Sequence, residues 1–249
     1  MTAAGAAAER FEIDWSRPWL APLRERGEAI AEQATRGGLL DALNAASDSS
    51  VYVTAGPVRF VEPACQPAGE AYEAFVARTA CIPTRNNLHD FFNALVWLAM
   101  PAWKRRLNEL QAAQIALSGV AATRGAVRDA LTLFDENAAL LQAPQALVDA
   151  LRCRDWATLF VTRRALWADA RLTLFGHALL EKLDSPRKAI TAHVWVLSES
   201  ADASLPDLLT PERLAARPFL PLPVLGVPGW WPDNEDAGFY ADAAVFRRP

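Results

Sequence analysis

Three histidines stand in a chain of 249 residues: His89, His177 and His193. Imidazole is the side chain best suited to proton transfer near neutral pH and to metal ligation. His89 lies in the run Asn86-Asn87-Leu88-His89-Asp90-Phe91-Phe92-Asn93. At about 100° per helical residue, Asn86, His89, Asp90, Asn93 and Trp97 fall within an arc of about 100°. A histidine, a carboxylate and an amide would then share one face, just after Pro83-Thr84-Arg85. Such a face can hold a metal or orient a general base. The plainer account makes Asn86 or Asn87 a helix cap, lets Asp90 complement the helix dipole and leaves His89 on the surface. His177 follows Gly176 at an expected strand-to-helix turn. His193 alternates with Ile190 and Val194 and reads as a satisfied core or surface histidine. Asp129 and the adjacent pair Asp135-Glu136 can ligate a hard cation or supply a base, or they are ordinary turn and cap residues.

The candidate catalytic set is therefore His89, Asp90, Asp135, Glu136 and His177. Arg85, Asn93 and Lys104 are the candidates for holding a small anionic substrate. Several chemistries are set aside. No GxGxxG follows a strand, and there is no GxxxxGK[ST], GxSxG or HExxH. Leu88-His89-Asp90 contains the doublet of HD-type phosphohydrolases, but those need an earlier histidine and none precedes His89. Lys104-Arg105-Arg106 and Arg163-Arg164 are basic clusters. A net charge of −4 makes solvated helix faces the better reading of them, so nucleic acid is not the expected partner.

These residues need elements to position them. Hydrophobic residues make up 52% of the chain and charged residues 22%, an ordinary globular balance. Residues 1–10 are expected to be a flexible tail and 11–249 a single globular domain. Trp15 to Leu23 leads into a helix ending near Gly37-Gly38, and a second short helix runs from Leu39 to Ala46. Val51 to Val61 reads as a hairpin with Gly56-Pro57 as its turn. Ala71 to Arg78 is a short helix. From Asn87 to about Ala99, Leu88, Phe91, Phe92, Leu95, Val96 and Ala99 recur at helical spacing. Pro101 stops or kinks that helix, and the next carries Trp103, Leu107, Leu110 and Leu117 inward. Leu131 to Phe134 reads as a strand, with Asp135-Glu136-Asn137 as turn and Leu140-Leu141 as return arm; a helix over the same stretch is nearly as good. Pro144 to Arg152 is a helix and Arg171 to Phe175 a strand. A helix follows Gly176-His177, and Ile190 to Leu197 is a strand or short helix. From Pro218 five prolines flank Trp230-Trp231, giving an extended C-terminal arm over 218–249. The expected class is α+β, predominantly α-helical, with short strands or hairpins and that Pro-rich arm.

Cys65, Cys81 and Cys153 are odd in number and form no CxxC pair, so they read as buried thiols of a reducing compartment. Glu9, Arg10, Glu12 and Asp14 follow an Ala-rich start and leave no signal-peptide core. The longest apolar stretch, Phe91 to Trp103, is too short to span a membrane. A soluble, cytoplasmic protein with no membrane partner is expected.

The stretch from Ile82 to Trp97 resembles a bacterial family known only as domain of unknown function 3025. The likeness continues through Pro101, Lys104, Leu107-Asn108, Arg128 to Asn137 and Phe175 to Lys182. It ends with Pro221 to Pro232. The resemblance implies no activity. It implies that Thr84, Arg85, Asn87, His89, Asp90, Asn93, Lys104, Asn108, Arg128, Asp129, Asp135, Glu136, His177 and Lys182 belong to family motifs. Two readings follow. In one, the chain is an enzyme whose His/carboxylate set acts by acid–base chemistry or on a bound divalent metal, the cofactor being otherwise unknown. In the other it is a non-catalytic module for an unknown small molecule or protein. The same polar groups then form a buried network, and the Trp-rich arm docks a partner.

Overall fold

The computed structural model describes residues 11–118, 125–197 and 206–248; the expected tail over 1–10 lies outside the described residues. The fold is α+β and predominantly helical. It forms two compact units, residues 11–15 with 21–118 and residues 16–20 with 125–248. No helix among the described residues is long and apolar enough to cross a membrane.

The first unit opens with α1 (Arg24–Gly37) and α2 (Leu39–Ala46), hinged at Gly38. Its φ of +91° is one that glycine adopts readily and other residues avoid. β1 (Tyr52–Val53) and β2 (Gly56–Pro57) form the expected hairpin, but the turn is Thr54-Ala55; Gly56-Pro57 is the return arm. β3 (Arg59–Val61) leaves that hairpin. It pairs in parallel, across α3 (Tyr72–Thr79), with β4 (Cys81–Pro83), Phe60 opposite Ile82. Asn44 fixes the edge of β3, accepting from Phe60 N at 2.9 Å and donating to Phe60 O at 2.8 Å.

α4 (Leu88–Ala99) is the centre of this unit. Its expected apolar face is inside at Phe91, Phe92, Leu95 and Val96, whereas Leu88 at the start is half-buried and Ala99 at the end is exposed. The opposite face is inside as well, because Asp90, Asn93 and Trp97 are also buried. Pro101 begins α5 (Pro101–Ser118), at the helix start where its missing N–H costs nothing. Trp103, Leu107 and Leu110 face inward as expected, but Leu117 is 82% exposed. The seven-residue row 103–110–117 drifts by about 20° per heptad on a straight helix. The buried side of α5 also takes in Lys104, Asn108, Gln111 and Ile115 beside Trp103, Leu107 and Leu110.

The second unit begins with α6 (Ala126–Asn137), so the strand read at Leu131 to Phe134 is a helix. Ala130, Leu131 and Phe134 are its buried stripe, at i, i+1 and i+4. Asp135-Glu136-Asn137 is the last turn of that helix rather than a hairpin loop. The chain then enters β5 (Ala138–Gln142), which includes Leu140-Leu141. Next come α7 (Gln145–Arg152), β6 (Arg171–Leu174), α8 (His177–Asp184), β7 (Thr191–Val196), α9 (Pro211–Ala215) and β8 (Leu220–Pro223). The strands form one sheet in the order β6-β5-β7-β8, with β5 and β7 parallel and the other pairs antiparallel. The central position of β5 explains its nearly continuous apolar run.

The Pro-rich arm is packed. Leu222, Val224, Leu225 and Val227 are buried, and Asn234 donates to Leu225 O at 2.8 Å and Val227 O at 2.7 Å. Trp230 lies 6.1 Å from Trp19. Five prolines do exclude a central strand, and β8 is an edge strand. Val224 N donates to Ile190 O, so by alternation Leu220 and Leu222 also turn their N–H groups toward β7. Pro221 and Pro223 occupy the outward positions, where no donor is needed.

Two outcomes test this packing. Phe92→Ala is expected to cost about 3–5 kcal/mol of unfolding free energy in urea; a loss below about 1 kcal/mol would contradict a fully buried ring. His193 on β7 has a buried Nδ1 with no partner among the described residues. Desolvation, with the Lys182 charge second, holds its pKa below the ordinary 6.5. The unfolded chain thus binds a proton as pH falls through about 6.5 while the folded protein does not, so stability falls with pH there. Urea midpoints should decline from about pH 8 to about pH 5, and His193→Gln should flatten the decline. An unchanged slope in the variant would assign it to other groups.

Candidate functional site

The candidate residues fall into the two units. Arg85, His89, Asp90, Asn93 and Lys104 belong to the first, and Asp135, Glu136 and His177 to the second.

In the first unit, Asn87 caps α4: its Oδ1 accepts from Asp90 N at 2.8 Å. The Asp90 carboxylate faces back toward the preceding loop. Its Oδ2 accepts from Arg85 N at 2.7 Å and Arg85 Nε at 2.9 Å, and its Oδ1 from Arg85 Nη2 at 2.9 Å. This is a two-pronged guanidinium–carboxylate pair with a backbone amide added, the strongest class of such contacts. Only Asp90 is buried; the Arg85 side chain is 63% exposed. One turn further on, Asn93 Oδ1 accepts from Lys104 Nζ at 2.7 Å, and Asn93 Nδ2 donates to Tyr72 Oη at 3.1 Å. The Lys104 ammonium, on a residue 3% exposed, also sits 5.5 Å above the Trp97 ring. Asn108 Nδ2 donates to Glu73 O at 2.9 Å. Buried polar groups thus tie α3, α4 and α5 together. His89, on the same helix, is half-buried.

In the second unit, α6, β5 and the start of α8 meet backbone to backbone. Phe175 N and Gly176 N both donate to Ala138 O, at 3.0 and 2.8 Å. A Cβ on Gly176 would lie 2.5 Å from Asn137 N, so no other residue fits without moving the main chain. That approach delivers His177 to the end of α6. Its Nδ1 donates to Asp135 O at 2.8 Å and lies 3.8 Å from Asp135 Oδ1. A carbonyl oxygen only accepts, so Nδ1 carries the proton and, in the neutral ring, Nε2 carries the lone pair. His177 is 6% exposed. Lys182, one turn along α8, donates to Asn137 Oδ1 at 2.8 Å. Asp135 and Glu136 lie in the last turn of α6, where a carboxylate opposes the helix dipole at a cost of about 0.3–1 kcal/mol each.

Three direct pairings therefore join sequence-flagged residues: Arg85 with Asp90, Asn93 with Lys104, and Asp135 with His177. Among the described residues, no group of three or more His, Cys, Asp or Glu side chains is placed to hold a metal ion. The sequence reading missed Tyr72, whose hydroxyl completes the Asn93 amide and which no local pattern marks. It also missed the burial of Lys104, Asn108 and Gln111, which their helical spacing of four and three could have disclosed.

No curated protein and no solved structure matches the chain. Residues 58–249 match a family described as a protein of unknown function (DUF3025). The match includes α4, α5, the junction of α6 with α8, and the Pro-rich arm. It takes in the greater part of the 249 residues, and the chain belongs to the DUF3025 family.

Proposed function

We propose that the second unit carries an acid–base centre on a small anionic substrate, with His177 as the base, Asp135 as its orienting partner and Glu136 beside it. One observation carries this reading. The Asp135 carbonyl fixes the Nδ1–H tautomer and so leaves Nε2 as the basic nitrogen. The Asp135 carboxylate at 3.8 Å can balance the charge when that nitrogen takes a proton. The two carboxylates of α6 are kept in a turn whose dipole disfavours them, which fits a chemical rather than a structural use. We place the protein in solution in the cytoplasm, in keeping with three free thiols, although Cys65 and Cys153 are exposed where buried thiols were expected.

A second reading has its own support in the first unit. Asp90, Asn93 and Lys104 are buried and bonded to neighbours within that unit, so a buried network without catalysis accounts for them. Under that reading the chain is a binding module, and Arg85 and Lys104 hold the fold rather than a substrate.

A screen of generic phosphoesters and carboxylic esters, run with a metal analysis of the purified protein, separates the two. The acid–base reading expects turnover of one class and a loss of about 10²-fold or more in His177→Gln. Asp135→Asn keeps the backbone acceptor and should lose less. Turnover that is the same in His177→Gln, or absent across the screen, would favour the binding module.

A further inference from the structure

A cleft in the second unit lies apart from the residues considered so far. It has a volume of about 400 Å³ and is walled by the end of α7, the end of β7 and the segment from α9 into β8. Three arginines are among the residues that line it: Arg152, Arg213 and Arg217. Its apolar wall includes Trp195, Phe219 and Leu220. In a chain with a net charge of −4, three arginines converging on one concavity stand out.

The charges there are incompletely matched. Arg152 Nη1 is 3.3 Å from Asp149 Oδ1 and Arg217 Nη2 is 3.4 Å from Asp129 Oδ2. Both are longer than the 2.7–2.9 Å of a strong charge-assisted bond, and both are solvent-exposed pairs that a ligand can displace at little cost. Arg213 has no carboxylate partner among the described residues. Its guanidinium lies over the Trp195 ring, 5.0 Å from the centroid. Trp195 is 1% exposed, yet its Nε1–H has no acceptor among the described residues. Arg217 follows the C-cap of α9 with a φ of +48°, its N–H donating back to Leu214 O at 2.9 Å, so the left-handed end of that helix sets where the residue leaves it.

We propose that this cleft binds a small anion carried on a planar aromatic ring, such as an aryl carboxylate or an aryl phosphate. Guanidinium groups match carboxylate and phosphate geometry with paired N–H donors and also stack on flat rings. Phe219 and Leu220 are the half-exposed parts of the apolar wall, and Phe219 offers the ring a surface. The volume falls in the range of small-ligand sites. The site uses neither His177 nor Asp135, so it stands or falls independently of the acid–base reading.

Isothermal titration calorimetry on the full chain tests the proposal. The probes are phenyl phosphate and benzoate, with inorganic phosphate and cyclohexanecarboxylate as non-aromatic comparisons. The aromatic anions are expected to bind at least about 10-fold more tightly than their non-aromatic counterparts, and to weaken as salt rises. Arg213→Gln and Arg217→Gln should each weaken phenyl phosphate about 10-fold or more. Both positions are exposed, so melting temperatures should hold. Arg187→Gln, an exposed arginine outside the cleft, should bind as the unaltered chain does. No binding of either aromatic probe at millimolar concentration, or equal binding in Arg213→Gln and Arg217→Gln, overturns the proposal. Equal affinity for phosphate and phenyl phosphate overturns its aromatic part.

Discussion

Two stretches of main chain lie so close at Gly176 that no side chain fits between them. The organisation of the second unit follows from this. The Ala138 carbonyl receives two amides from the 175–176 corner, so the end of α6, the first residue of β5 and the start of α8 are locked at one point. The antiparallel pairing of β5 with β6 continues that corner in register, Ala139 opposite Leu174. Phe134 and Phe175, on either side of the junction, have ring centroids 4.9 Å apart and anchor it in the core. His177 is the next residue along, and its ring direction is a consequence of that geometry rather than of its own local sequence.

In the first unit the organising element is a helix surrounded on all sides. A fully buried helix usually has an apolar surface all round. α4 instead brings a carboxylate and an amide inside, and each is matched by a long cationic side chain from a neighbouring segment. Breaking either pair would strand a buried polar group, which is more damaging than never having placed it there. Polar matching of this kind selects one arrangement of α3, α4 and α5 over alternatives that bury the same apolar area.

Much of the fold was legible because helical spacing over a dozen residues leaves little choice. α4 and the break at Pro101 are of that kind. Short segments were not. Leu131 to Phe134 has four apolar or β-branched residues, too few to separate a strand from a turn of helix, and burial of Ala130 with Leu131 and Phe134 decided for the helix. Gly56-Pro57 looks like a turn because both residues punctuate chains, but Gly56 at φ +136° bends within the return arm. The candidate site was legible as residue types and not as partners. Asp90 and Asn93 read as candidates for a site until Arg85 and Lys104 are seen to reach them. His177 and Asp135 are 42 residues apart in sequence, and only the sheet between them makes them neighbours.

The two outward prolines of β8 also bear on how this protein meets others. A sheet edge normally exposes a ladder of amide donors that another chain can join. Here that ladder is interrupted at every outward step over Pro221–Pro223. The sheet ends at four strands on this side, and a second copy or a peptide added there would find carbonyl acceptors but no amide donors at Pro221 and Pro223. Association at that edge leans the more on side chains, which recognise particular partners instead of any extended backbone.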